Sequence, residues 1–256
     1  MTQERSEEGT TLPDLAGRRV VIAGGTGSVG EGIVATWLRA GADVIVPTRS
    51  VDKGRQLEAF VGADAAERLH LVEGDYTSID GAARMSERIT AEHGNVDDVV
   101  ASLGSWWQRA PLWEITSQEW ERWMIDPVTA HVATARAWIP RLPDASSYQV
   151  ILGGSAVYPV AGASIVSLQG AAALMLRRVL AAEVGEKRRV VGIILAPVAS
   201  RHRRWVDPSW ITNTEVGQVS VGIAASPNLI DSELDLQDPD TRGEVFARVG
   251  VRPPSS

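Results

Sequence analysis

Apolar positions along the chain follow two alternating rhythms. Short runs rich in β-branched residues stand at Arg19–Ala23 (RVVIA), Asp43–Val46 (DVIV), Leu69–Val72 (LHLV), Asp98–Ser102 (DVVAS), Gln149–Leu152 (QVIL) and Val190–Leu195 (VVGIIL). Between them lie longer stretches of helical periodicity at 30–40, 78–93, 117–138 and 167–185. A strand that is apolar without alternation is buried on both faces, as in a parallel sheet covered by helices. Right-handed crossovers wind such units around one sheet. The pattern therefore predicts an α/β fold: a single-domain, Rossmann-like doubly wound parallel sheet with helices on both faces. No internal repeat or low-complexity linker marks a second domain. Residues 1–14 are expected to be a flexible N-terminal segment and 15–237 the folded domain. The remaining 238–256 form a C-terminal tail rich in Pro, Gly and charge, whose end is expected to be mobile.

Composition narrows the function by exclusion. A formal charge of −7 and a pI near 5.2 leave no basic face for phosphate backbones, so no nucleic-acid partner is expected. The absence of cysteine excludes disulfides, thiolate metal sites and cysteine nucleophiles, and no other metal site is indicated. The start of the chain is polar, without a basic and apolar leader. No apolar run approaches the roughly 18 residues of a membrane span. A soluble, cytoplasmic protein without membrane contact is expected. Tryptophan is unusually frequent, and six of the nine fall between Trp106 and Trp138.

The first strand runs into Gly24, Gly25, Thr26, Gly27, Ser28, Val29 and Gly30, after which the helical rhythm begins. Glycines there allow a sharp turn and close backbone approach to a diphosphate, and the helix N-terminus offers unpaired N–H groups. The alternative is a glycine-rich turn with no ligand. The second strand is followed by Pro47-Thr48-Arg49-Ser50, with no carboxylate to accept ribose hydroxyls. Arg49 can pair with a 2′-phosphate, which favours NADP(H) over NAD; the competing reading is a solvated loop arginine.

With these features on one chain, the sequence resembles the short-chain dehydrogenase/reductase family from about Leu15 to Leu236. Gly24 to Gly30 resembles its T-G-x-x-x-G-x-G turn, with Ala23 for Thr and Ser28 for the middle Gly. Asp75, in Gly74-Asp75-Tyr76, matches the family's adenine-touching Asp. Ala101-Ser102-Leu103-Gly104 falls on its N-N-A-G segment and keeps only Gly104. The resemblance implies cofactor contacts at Gly24, Thr26, Gly27, Ser28, Val29, Gly30, Arg49, Ser50, Asp75, Tyr76 and Gly104. It also implies a small-molecule substrate and a homodimer or homotetramer built on the helices at 117–138 and 167–185, or pairing with a catalytically intact relative.

The family's proton relay is missing. Its tyrosine falls on Val166, its lysine on Gly170, its serine on Gly154 (or Ser155 with a shorter loop) and its asparagine on Pro127. None of Val, Gly or Pro has a side chain that can donate a proton. The Pro-Gly turn after the sixth strand reads Pro197-Val198, and the nicotinamide-holding Thr falls on His202. No Tyr is followed by Lys four residues later anywhere in the chain. Replacement candidates are Ser155, Tyr158 and His202. In Arg201-His202-Arg203-Arg204, three arginines are expected to form an anion site and to keep His202 neutral, unless the run is a solvated basic loop. Trp106, Trp107 and Arg201 are the candidate pocket residues; the tryptophans either stack on a flat substrate or fill the nicotinamide space. His131 is expected to be a packed or interface histidine. Three functions stay open: an NADP(H)-binding protein that is an atypical or inactive oxidoreductase homologue, an active NADPH-dependent reductase using Tyr158, Ser155 or His202, and a redox-independent cyclase, isomerase or lyase. In each case Gly170 leaves any cofactor held mainly by its adenosine half.

Overall fold

The computed structural model describes residues 12–252. In chain order the elements are β1 (Arg19–Ala23), α1 (Gly30–Arg39), β2 (Asp43–Thr48), α2 (Val51–Val61), α3 (Ala63–Ala66), β3 (Leu69–Glu73), α4 (Ile79–His93) and β4 (Asp98–Ala101). They continue as α5 (Ser117–Trp120), α6 (Asp126–Trp138), β5 (Ser147–Gly153), α7 (Ser164–Val184), β6 (Arg189–Leu195), β7 (Val198–Ala199), β8 (Ile211–Thr212), α8 (Asn213–Ala225), β9 (Asp231–Leu236) and α9 (Arg242–Arg248). Seven strands form one sheet in the order β3-β2-β1-β4-β5-β6-β9, with every pairing parallel. The order reverses between β1 and β4, and that crevice at the strands' carboxyl ends is where ligands bind in doubly wound sheets.

The strand residues explain the layering. Val20 and Ile22 of β1 pack on one face with α1 and α8, while Val21 packs on the other with Ala82, Met85 and Ile89 of α4. Beneath the crevice, Asp98 at the start of β4 is fully buried and paired with Arg18 at 2.5 Å. Its other oxygen accepts from the Ser147 hydroxyl at 2.6 Å and the Ser147 N–H at 3.0 Å. Gln149 donates to that hydroxyl and accepts from Ser220, which in turn accepts from the Trp37 indole. This satisfied network ties the amino ends of β4 and β5 to α1 and α8.

Three expectations change. The seventh strand, β9, carries the polar sequence DSELDL and lies at the sheet edge, so it lacks the continuous apolar run used to find strands. The segment set apart as a tail is folded through Val251: Phe246, Val249 and Val251 are buried in the core, because α9 lays them across it. Its last residues, 253–256, and the first eleven, 1–11, lie outside the described residues. Finally, Ser164–Lys187 has the length and apolar character of a membrane span, with a mean hydropathy of 1.4. It packs against β5 and β6 and carries the buried Arg177 among its apolar residues, so here it is a core helix.

Candidate functional site

The glycine turn has the shape its sequence asks for. Gly24 has φ +82°, and a Cβ there would overlap the Ser102 carbonyl; a Cβ at Gly30 would overlap the Gly24 carbonyl. These two glycines let β1 end, turn and start α1 against the end of β4. Gly27 is exposed and donates its N–H to Gly24 at 2.9 Å, while Thr26, Ser28 and Val29 are half-buried around it. Val29 caps α1 without a side-chain hydrogen bond, so the helix N-terminus keeps donors for an anion.

The polar end of the crevice lies beyond β2 and β3. Arg49 is exposed, donates to the Thr77 hydroxyl at 3.4 Å and rests 5.9 Å from the centre of the Tyr76 ring. Burial raises the Tyr76 pKa, and Arg49 partly opposes the shift. Ser50 caps α2 through Lys53 N–H at 3.4 Å, which gives its hydroxyl a structural task. Asp75 accepts from the N–H and hydroxyl of Thr77 and from the N–H of Ser78 through one oxygen, and from the Ser78 hydroxyl through the other. Partial burial pushes its carboxyl up, but these hydrogen bonds outweigh it and hold the pKa at about 2.

The other end of the crevice is packed. A Cβ on Gly154 would overlap the Gln237 carboxamide, which arrives from the segment after β9. On Gly170 it would lie 3.0 Å from Ala156 Cβ, 3.2 Å from its Cα and 3.3 Å from its N. A side chain at position 170 would therefore press on the turn Gly154–Ala156 from its first carbon onward. Val166 is buried in a cluster with Trp107, Ala163 and Ile165, flanked by Ile115, Trp123 and Met124. Trp107 is only 8% exposed, which favours filling over stacking, the two readings left open by the sequence. Trp106 is 48% exposed at the rim. Pro127 lies in the first turn of α6, just after the five-residue π turn Glu121–Ile125. Without an N–H, Pro127 cannot close an α-helical bond to Trp123, and the backbone widens there.

The basic loop does not form the expected anion site. Arg201 and His202 converge on Glu31, whose side chain is 2% exposed at the N-terminal turn of α1. Arg201 binds its carboxylate at 2.9 Å and lies 5.0 Å over the Phe60 ring; His202 Nε2 meets it at 3.0 Å. Arg203 stacks on Trp210 at 5.6 Å. The guanidinium of Arg201 is thus withdrawn from a substrate pocket, and the nearest charge to His202 is a carboxylate. One further bond fastens this loop to the first turn, Ser28 to Ser200 between hydroxyls at 2.6 Å, and the Asn213 amide at the start of α8 donates to the Ser28 carbonyl at 3.0 Å. Glu31 carried no signal in the sequence beyond its place one residue after Gly30.

Ser155, Tyr158 and His202 are not brought together by any contact among the described residues. Ser155 is half-buried in the turn Gly154–Ala156, and the side chain of Tyr158 is 58% exposed without a hydrogen bond. His131 is packed, as expected. Burial pushes its pKa down to about 4 against a hydrogen bond to the Leu103 backbone, and its Nε2 has no partner.

A doubly wound parallel sheet with a glycine turn at its switch point defines a nucleotide-binding class of α/β protein. A family model described as short chain dehydrogenase matches residues 18–208, and the chain belongs to that family. It is 28% identical over 117 residues to a short chain dehydrogenase/reductase of Macrophomina phaseolina, covering 46% of this chain and 67% of that one. Against a 3-phenylpropionate-dihydrodiol/cinnamic acid-dihydrodiol dehydrogenase of Escherichia coli O7:K1 it is 26% identical over 231 residues, 88% of this chain and 82% of that one. A short chain dehydrogenase of Shigella flexneri, solved in complex with NADP, superposes with a TM-score of 0.80 at 20% identity, covering 89% of this chain and all of that one.

Proposed function

We propose that this chain binds NADP(H) by its adenosine and diphosphate half and is an oxidoreductase homologue whose usual proton relay has been replaced by packing. The observation that carries the reading is the filling of the vacated positions: Gln237 over Gly154, Ala156 against Gly170, and Trp107 with Val166. The glycine turn suits a diphosphate, since Cβ atoms at Gly24 and Gly30 would overlap backbone and destroy it. Arg49, Thr77 and Tyr76 form a rim suited to a 2′-phosphate. The Shigella flexneri relative was solved with NADP, which supports the same cofactor here. At the nicotinamide end the residues do not fit the family's way of holding that half. The exposed apolar residues Leu168, Met175 and Val179 on α7 support pairing with a second copy. Active reduction through His202 loses support, because its ring is engaged by Glu31.

Calorimetric titration with NADP+, NAD+ and 2′,5′-ADP tests the reading. NADP+ and 2′,5′-ADP are expected to bind, and Arg49→Ala should weaken both by about tenfold to a hundredfold, the worth of charge-assisted hydrogen bonds. A panel of carbonyl compounds should leave NADPH unconsumed. Turnover that disappears in Tyr158→Phe would establish the reductase instead.

A further inference from the structure

Residues 201–206 are exposed without interruption and carry three arginines and no carboxylate, in a chain of net charge −7. Glu31 takes up Arg201 and His202 at the base of this loop. Arg203 and Arg204 are left over, and their guanidinium N–H groups bond to no described residue. The nearest carboxylate in sequence, Asp207, accepts instead from the N–H and hydroxyl of Ser209 at 2.9 and 2.7 Å. Arg203 lies 5.6 Å over the Trp210 ring, and Trp205 meets the same ring at 5.4 Å and 81°. A guanidinium stacked by its face keeps its planar N–H edge for a carboxylate, in a fixed orientation. Beside it Trp205 is 66% exposed, a large apolar surface open to a partner. The far end of the loop is held as well, because Arg242 at the start of α9 donates to the Ser209 carbonyl at 2.7 Å. Arginine and tryptophan are the residue types that dominate protein contacts, and a loop pinned at both ends has little left to order on binding.

We propose that Arg203, Arg204 and Trp205 form a docking surface for a short acidic segment of a partner protein. Carboxylates of the segment pair with Arg203 and Arg204, and an apolar side chain of the segment covers Trp205. Charge selects this occupant. The loop is a positive island on an acidic molecule, so a short segment meets the arginines alone. Nucleic acid or an anionic membrane would extend over the acidic remainder and be repelled by it. The inference is independent of the cofactor reading, since none of the three residues lies on the glycine turn or at the Arg49 rim.

The test uses a fluorescein-labelled oligoglutamate peptide with one central leucine, its anisotropy followed on titration with the full chain. The peptide should bind, and more weakly as salt rises. Affinity should fall about two- to tenfold in Arg204→Gln, and by about tenfold or more in Trp205→Ala, with Tm unchanged in both. In the unmodified protein the amide resonances of 203–206 should shift most on adding the peptide, a readout that needs no variant. Absence of binding, equal binding by both variants, or shifts centred elsewhere overturns the proposal. Tighter binding to phosphatidylserine vesicles or to oligothymidylate than to the peptide, lost in the same variants, also overturns it and gives the surface to a membrane or a nucleic acid.

Discussion

Gly170→Ala decides whether the lysine position is open or closed, because the two cases predict opposite signs. Gly170 lies inside the 21-residue helix α7. In an open interior helix position, replacing Gly by Ala gains about 1 kcal/mol of helix propensity. Here the new Cβ would meet Ala156 Cβ at 3.0 Å, Cα at 3.2 Å and N at 3.3 Å. Two of those atoms are backbone, in a turn held by the Val157 and Tyr158 N–H groups on the Gly154 carbonyl at 3.0 and 2.9 Å. Overpacking of this kind costs about 1–3 kcal/mol, so the net change is a loss of up to about 2 kcal/mol. For a domain of this size that lowers Tm by up to about 8 °C, readable by scanning calorimetry. Combining it with Ala156→Gly removes the nearest of the three atoms, and the pair should couple favourably by about 1 kcal/mol. A rise in Tm for Gly170→Ala alone, with no coupling, would show an open pocket and refute the packing argument.

His131 and Glu31 give two further tests. The folded protein holds His131 neutral with a pKa of about 4, against 6.5 when unfolded, so the unfolded chain takes up the proton first as pH falls. Its contribution is full above pH 6.5, declines toward pH 4 and reaches a loss of about 3 kcal/mol. Urea midpoints should therefore fall more steeply over that window than in His131→Gln, and parallel curves would refute the assignment. Glu31→Gln removes the charge that Arg201 and His202 share, so amide exchange over 200–206 should accelerate by about tenfold to a hundredfold. Unchanged exchange would mean that the contact of Ser28 with Ser200 holds the loop by itself.

The chain's periodicity was enough to place the strands that build the crevice. RVVIA forms β1 with the expected bounds, and the other five apolar runs each lie on a strand to within about two residues. Edge strand β9 escaped because its polar positions alternate with buried ones, a pattern that a search for continuous apolar runs passes over. The single helical rhythm over 117–138 is broken in the structure by the π turn before Pro127. Site residues divide in the same way. Local features such as the glycine turn, Arg49 and the loss of tyrosine and lysine are visible in a few consecutive residues. The occupants of the lost positions are not, because Gln237 reaches Gly154, and Arg201 reaches Glu31, across long sequence separations.

The replacements form a consistent physical set. Removing large polar side chains from a buried crevice without compensation leaves cavities, and a void of even methyl size costs on the order of 1 kcal/mol. Gly154 and Gly170 leave no such voids, since the Gln237 amide and the Ala156 turn close on them. Val166 is covered by Trp107, the kind of large side chain needed to fill the space of a tyrosine and its substrate. At the opposite end the arrangement is the reverse: Arg49 and Asp75 stay exposed, and Gly27 is bare of side-chain cover. Random loss of catalytic groups has no reason to close one half of a crevice and keep the other open. An adenosine end kept for binding, as proposed above, accounts for the contrast between the exposed Arg49 and Asp75 and the packed Gly154 and Gly170.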